Sequence, residues 1–199
     1  MERNRAIFII AQQELEKMSK EERKSELLNM WGIDDENPEF AVLPDSLQEE
    51  ILQTDGPVVD VMSPRYDPLL MEALKKEYVG VNNDYLSERV SRIVGEEVVV
   101  EGQEDKFFAC PCCMYRTLTE RGQYDICPVC FWEDDGNDKL GHYSGPNHMT
   151  LAEGRDHFVR YGAVTPSALK YIKPDAKKRY YFGWWGLVRC TATSKDQDS

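Results

Sequence analysis

Cys110-Pro111-Cys112-Cys113 and Cys127-Pro128-Val129-Cys130 decide how the second half of this chain folds. Each stretch presents two thiols from one tight turn, and thirteen residues lie between the turns. Two such pairs at this distance make a metal knuckle pattern, because each turn supplies two corners of a tetrahedron and the intervening chain folds the turns together. Zinc in structural sites takes four thiolates at about 2.3 Å, which closes its coordination shell to water. Cys110, Cys113, Cys127 and Cys130 are therefore the expected ligands of one structural zinc ion, and Lewis-acid hydrolysis at it is not expected. Four thiolates would also hold iron in a rubredoxin-like one-electron site, since donor identity does not separate the two metals.

Cys112 lies between two ligands and could replace Cys110 or Cys113. The spacing of the second pair favours Cys110 with Cys113, leaving Cys112 as a buried or a reactive thiol beside the metal. Cys190 reads as core, and His142, His148 and His157 are too few for a second site.

Outward from the knuckles, Tyr115–Leu118 and Gln123–Ile126 flank Glu120-Arg121-Gly122 and predict a short hairpin between the cysteine pairs. Thr150 with Glu153 predicts a capped helix that Gly162 ends. The aromatic run Tyr180–Cys190 predicts a strand packed on the module, with a disordered tail over 194–199.

Before the knuckles the chain reads as helix. Ala6, Ile7, Ile10, Ala11, Leu15 and Met18 recur at helical spacing, and Leu27, Leu28 and Trp31 continue the stripe after Ser19. Asp45 with Gln48 suggests a capping box opening a helix to Gln53. Asp67 followed by Pro68 reads as an N-cap with proline at the first helical position, backed by Leu70, Ala73, Leu74 and Tyr78. A further helix spans Asp84–Val94, and the β-branched run inside Glu96–Glu101 predicts a strand leading into the metal module.

The expected organisation is thus an α+β protein. Residues 1–105 form an acidic, mainly helical region, followed over 106–193 by a small zinc-ribbon or rubredoxin-like module with a hairpin and a helix. At 41% hydrophobic and 30% charged residues, the composition is that of a folded globular chain. The apolar run Ala6–Ala11 is too short to cross a bilayer and has no small-residue cleavage site, so neither signal peptide nor membrane span is expected. A cytoplasmic, reducing location follows, in which paired Cys-x-x-Cys motifs are metal ligands or redox centres.

The formal net charge of -12 argues against general affinity for nucleic acid, which needs a basic surface. Residues 1–105 hold 11 Lys and Arg against 25 Asp and Glu, while the remainder holds 13 against 11. Lys170, Lys173, Lys177, Lys178 and Arg179 precede Tyr180, Tyr181, Trp184 and Trp185, a pattern that suits single-stranded nucleic acid or, more simply, a solvated basic face beside a core strand. Glu133, Asp134, Asp135 and Asp138 do not follow EF-hand spacing and read as a solvated acidic loop, and Trp132 as core packing next to Cys130.

Cys110-Pro-Cys-Cys113, Tyr115-Arg-Thr-Leu118, Tyr124-Asp-Ile-Cys-Pro-Val-Cys-Phe-Trp-Glu-Asp-Asp-Gly136, Gly145-Pro-Asn-His148 and Leu151-Ala-Glu153 together resemble the bacterial cysteine-rich CPCC family, over about residues 107–163. The resemblance implies a zinc-ribbon-like domain with no established catalytic reaction. The family commonly places Gly directly after the first pair, where this sequence has Met114.

No Ser-His-Asp, Walker or Rossmann pattern is present, so a non-enzymatic protein-binding module is expected, with Asp34, Asp35, Glu36, Glu49, Glu50 and Asp55 among its contact carboxylates. Its sharpest form is an immunity protein that neutralises a basic nuclease toxin. The alternatives are a rubredoxin-like iron or thiol redox protein and a zinc-ribbon nucleic-acid-associated factor.

Overall fold

The computed structural model describes residues 1–183. The chain divides into two compact units, Met1–Asp105 and a second that begins at Lys106. Trp184, Trp185, Cys190, the predicted strand beyond Gly183 and the tail from Ser194 lie outside the described residues.

The first unit is built from α1 (Arg3–Lys17), α2 (Lys20–Met30), α3 (Asp45–Gln53), α4 (Asp67–Lys76) and α5 (Asn83–Val94). Helix α1 buries Ala6, Ile7, Ile10 and Ala11 and packs on α4 and α5. Ser19 then starts a separate helix: its hydroxyl accepts the Glu22 amide while the Glu22 carboxylate accepts the Ser19 amide. That cap resets the helical phase. Leu27 and Trp31 stay in the core, whereas Leu28, expected with them, is 50% exposed.

Helices α3 and α4 begin where expected but with different caps. The side chain of Gln48 donates to Leu43 O at 2.8 Å, and Pro44 precedes α3 with no side-chain cap. Tyr66 stands at the N-cap of α4, and Asp67 turns instead to the buried Arg23 guanidinium. The core joins Leu27, Trp31, Phe40, Leu47, Ile51, Tyr66, Leu69 and Leu70.

Residues 96–100 do not form a strand. The amides of Val98 and Val100 donate to Ser91 Oγ at 2.8 Å and Ser87 Oγ at 2.9 Å, so this extended stretch runs along α5 rather than along another strand. Glu101 closes it by a bridge to Glu2, with its amide on Met1 O at 2.8 Å. The segment belongs to the first unit instead of leading into the metal module. Its valines satisfy their backbone from serine hydroxyls, a source that β-propensity does not report.

The second unit comprises β1 (Phe108–Ala109), β2 (Arg116–Leu118), β3 (Tyr143–Ser144), β4 (Met149–Thr150), α6 (Leu151–Tyr161) and α7 (Ala176–Arg179). Strand β1 pairs antiparallel with β2, and β3 with β4. The hairpin expected around Glu120–Gly122 is therefore arranged otherwise: β2 pairs back across the first knuckle, and residues 124–127 pair with 131–134 across the second. Helix α6 has the predicted Thr150–Glu153 capping box and is closed by Gly162. Among the described residues no helix is long and apolar enough to cross a membrane.

Candidate metal centre

Each cysteine pair sits at the tip of its own antiparallel ribbon, and the two tips are copies of one motif. The Met114 amide donates to Cys110 O at 2.9 Å, and the Phe131 amide to Cys127 O at 2.8 Å. Just outside these, the Cys110 amide donates to Tyr115 O and the Cys127 amide to Trp132 O, both at 2.8 Å. Closing the ribbon this tightly requires a left-handed residue after the second cysteine, and Met114 and Phe131 take it with φ of 67° and 69°.

The two tips bring Cys110, Cys113, Cys127 and Cys130 together so that their sulfur atoms all lie within 4.8 Å of one another. Cys110 Sγ is 3.6 Å from Cys130 Sγ, and Cys113 Sγ is 3.5 Å from Cys127 Sγ. A tetrahedron with metal–sulfur bonds of about 2.3 Å has sulfur atoms about 3.8 Å apart, so the donor set fits a tetrahedral ion with little movement. All four cysteines are buried, at 0%, 2%, 0% and 0% exposure. Cys112 is buried too but is not one of the four clustered sulfurs.

The cluster has polar support on one sulfur. Thr117 Oγ1 lies 3.1 Å from Cys127 Sγ and donates to it, and the Val129 amide points at the same atom from 3.4 Å. Burial raises the Cys127 thiol, but contacts from Cys110, Cys113, Cys130 and the Thr117 hydroxyl outweigh it and hold Cys127 well below the usual thiol range. Burial pushes Cys110 and Cys130 well above that range and Cys113 above it. A metal ion binds the thiolate form, so it displaces the protons that burial keeps on these sulfurs.

Residues 108–179 match the family model described as Cysteine-rich CPCC. The match reaches past the stretch legible from motifs alone and takes in α7. No match was found to a curated protein or to a solved structure.

Helix α6 and the loop after it hold both knuckles of the CPCC segment. Arg155 Nε donates to Pro111 O at 2.9 Å in the first, and the Val164 amide donates to Cys130 O at 2.8 Å in the second. His157 Nδ1 meets Val164 O at 2.7 Å, so this histidine anchors a loop, and it is not among the clustered ligand atoms. Gly154 faces the ring of Trp132 and the Cys112 sulfur, which places the buried indole between α6 and the second knuckle.

Asp134 corrects the expectation of a wholly solvated acidic loop. It is fully buried, accepts Arg121 Nε at 2.8 Å and Nη2 at 3.2 Å, and takes the Gly122 amide at 2.7 Å. Gly122 and Gly136 touch back to back there, and a Cβ on Gly136 would lie 3.1 Å from Gly122 Cα. Asn147 of the Gly145-Pro-Asn-His148 motif exchanges two hydrogen bonds with the Glu133 backbone, at 2.9 and 2.7 Å, and acts as one residue of strand. Sequence reasoning singled out that motif without finding this role, because an asparagine that imitates backbone leaves no periodic signal.

The basic stretch is only partly a surface. Arg179 is buried on Asp175, Lys177 lies over Phe158, and Lys170 lies over Tyr171. Tyr181 O accepts the Arg116 amide and the Gly183 amide donates to Met114 O, so residues 181–183 run beside the exit of the first knuckle. Among the first-unit carboxylates expected at a contact surface, Glu50 is buried instead: it accepts Tyr66 Oη at 2.7 Å and Val58 N at 3.2 Å, with Arg65 2.6 Å from its other oxygen.

Proposed function

We propose that this chain is a non-enzymatic protein-interaction protein in which one zinc ion organises the CPCC segment and the acidic helical unit supplies the contact surface. The observation that carries this is the closed, buried four-sulfur cluster. A metal with four protein ligands offers no position to a substrate or water, so its contribution is to folding. Zinc is favoured over iron because nothing else in the sequence suggests an electron-transfer partner site. A reducing compartment such as the cytoplasm suits thiols that must stay free to bind metal.

Association with a basic partner is supported by the 25 acidic against 11 basic residues of positions 1–105. Self-repulsion of that size costs a compact unit some stability, and an acidic surface speeds encounter with a basic protein. Asp35, Glu36, Glu49 and Asp55 are exposed and available for it. The narrower form, an immunity protein covering a basic toxin, has charge complementarity as its only support.

Metal analysis of the purified protein tests the first half: one zinc per chain in a colourless protein is expected, and stoichiometric iron with visible absorption would overturn zinc in favour of a rubredoxin-like centre. Reversing the charge of Asp35, Glu36, Glu49 and Asp55 tests the second. Association with basic proteins should slow at low salt, and the difference should shrink as salt rises.

A further inference from the structure

The C-terminal ends of α2 and α3 enclose a groove of about 490 Å³, lined by Leu28, Trp31, Ile51, Leu52, Thr54 and Asp55 among others. Of these, Trp31 and Ile51 are buried, while Leu28 and Leu52 are 50% and 63% exposed. The Trp31 indole is held in place by its N–H on Thr54 O at 2.9 Å. Leu28 and Leu52 thus bring apolar side chains to a groove whose exposed lining is otherwise mostly polar.

The rim of this groove is negative for two independent reasons. Helix C-termini carry unsatisfied carbonyls and a partial negative charge that basic residues in the last turn usually offset. Neither α2 nor α3 has a basic residue in its last turn. Asp55 lies on the lining itself, and the exposed Glu49 lies one turn back from Leu52 on α3. Two exposed leucines beside two uncompensated helix C-termini and Asp55 select a ligand that carries apolar anchors and positive charge together.

We propose that the groove between the ends of α2 and α3 receives a basic amphipathic helix of a partner protein. Anchors at helical spacing fill the space between Leu28 and Leu52, and flanking Arg or Lys meets the two helix C-termini, Asp55 and Glu49. Strand addition is not an option, because it needs a sheet edge and the described residues of the first unit form no sheet. The proposal rests on the acidic unit being the contact surface, and it names where on that unit the partner sits.

Titration of the full-length, metal-loaded protein with synthetic peptides, followed by NMR, tests it. The probes are a Leu/Arg peptide with helical amphipathic spacing, a scrambled peptide of the same composition, and a Leu/Glu counterpart of the first. The amphipathic basic peptide should shift Leu28, Leu52, Thr54 and the Trp31 indole signal, and bind at least about tenfold more tightly than the other two. Leu28→Gln with Leu52→Gln should weaken it about tenfold, and Asp55→Asn, which disturbs no core contact, should weaken it less. If the basic peptides bind the first unit elsewhere and these variants change nothing, the groove assignment falls while the acidic contact surface stands. If no basic peptide binds the first unit, both fall. Equal binding of the Leu/Glu peptide in the groove would overturn the role given to the negative rim.

Discussion

Met114 and Phe131 occupy the same position in two separate turns, with φ of 67° and 69° and amides bonded to Cys110 O and Cys127 O. Both are left-handed residues with a Cβ, a conformation that costs an L-residue roughly 1–2 kcal/mol. They differ in what the side chain does there. Phe131 stacks on Tyr171 with ring centroids 5.1 Å apart and packs against the cysteine core, while Met114 is half-buried and outside that core.

Replacing each by glycine should therefore have opposite effects. Met114→Gly should raise the melting temperature of the metal-loaded protein, by a net stabilisation of about 0.5–1 kcal/mol once the freedom glycine adds to the unfolded chain is counted. Phe131→Gly should lower it, because lost packing outweighs the relieved backbone. A thermal melt in which Met114→Gly is the less stable variant would show that the first turn draws on its methionine in a way the shared geometry does not reveal.

The knuckle geometry also separates adjacent cysteines. Cys113 is one of the four clustered sulfurs and Cys112 is not. Cys113→Ser should lose the ion and unfold the CPCC segment, since binding and folding are coupled in modules of this size, whereas Cys112→Ser should keep one ion per chain. Metal analysis with circular dichroism of both variants decides it, and the reverse pattern would place Cys112 in the shell.

Metal uptake should release protons and weaken as pH falls. Cys110, Cys113 and Cys130 have thiols raised above their ordinary range by burial, so at neutral pH they are protonated until the ion arrives, and Cys127 is the one held low. Protons should leave as the ion binds, and apparent affinity should fall as the pH drops below neutrality. Calorimetry of zinc binding in buffers of different ionisation enthalpy measures the release. Fewer than one proton per ion would mean that the sulfurs are already ionised before the metal binds.

Gly154 marks the tightest contact between α6 and the metal segment. A Cβ there would lie 2.7 Å from Trp132 Cζ3, and the indole is 1% exposed with no room to retreat. Gly154→Ala should destabilise the protein by about 1–3 kcal/mol through overpacking. The four ligands are untouched, so metal stoichiometry should hold while the melting temperature falls. An unchanged melt would show that α6 shifts freely over the second knuckle.

Much of the site was legible along the chain because its rules are local. Cys-Pro-x-Cys spacing places two sulfurs on one turn whatever surrounds it, and the Thr150–Glu153 capping box and Gly162 bracket α6 by hydrogen bonds within a few residues. The helices of the first half followed from periodicity for the same reason, with α1, α3, α4 and α5 starting within a few residues of their sequence signals. Partner choice is not local, and only the tertiary structure decided it. The Tyr115–Leu118 segment was expected to pair with Gln123–Ile126, and the knuckle hydrogen bonds bring it to Phe108–Ala109 instead. Valines 98–100 carried strand propensity, but the amides of Val98 and Val100 donate to serine hydroxyls of α5. Asp134 and Glu50 looked like members of solvated acidic runs, yet Arg121 and Tyr66, remote in sequence, bury them. A carboxylate's exposure depends on which donor folding brings to it, and no spacing along the chain encodes that.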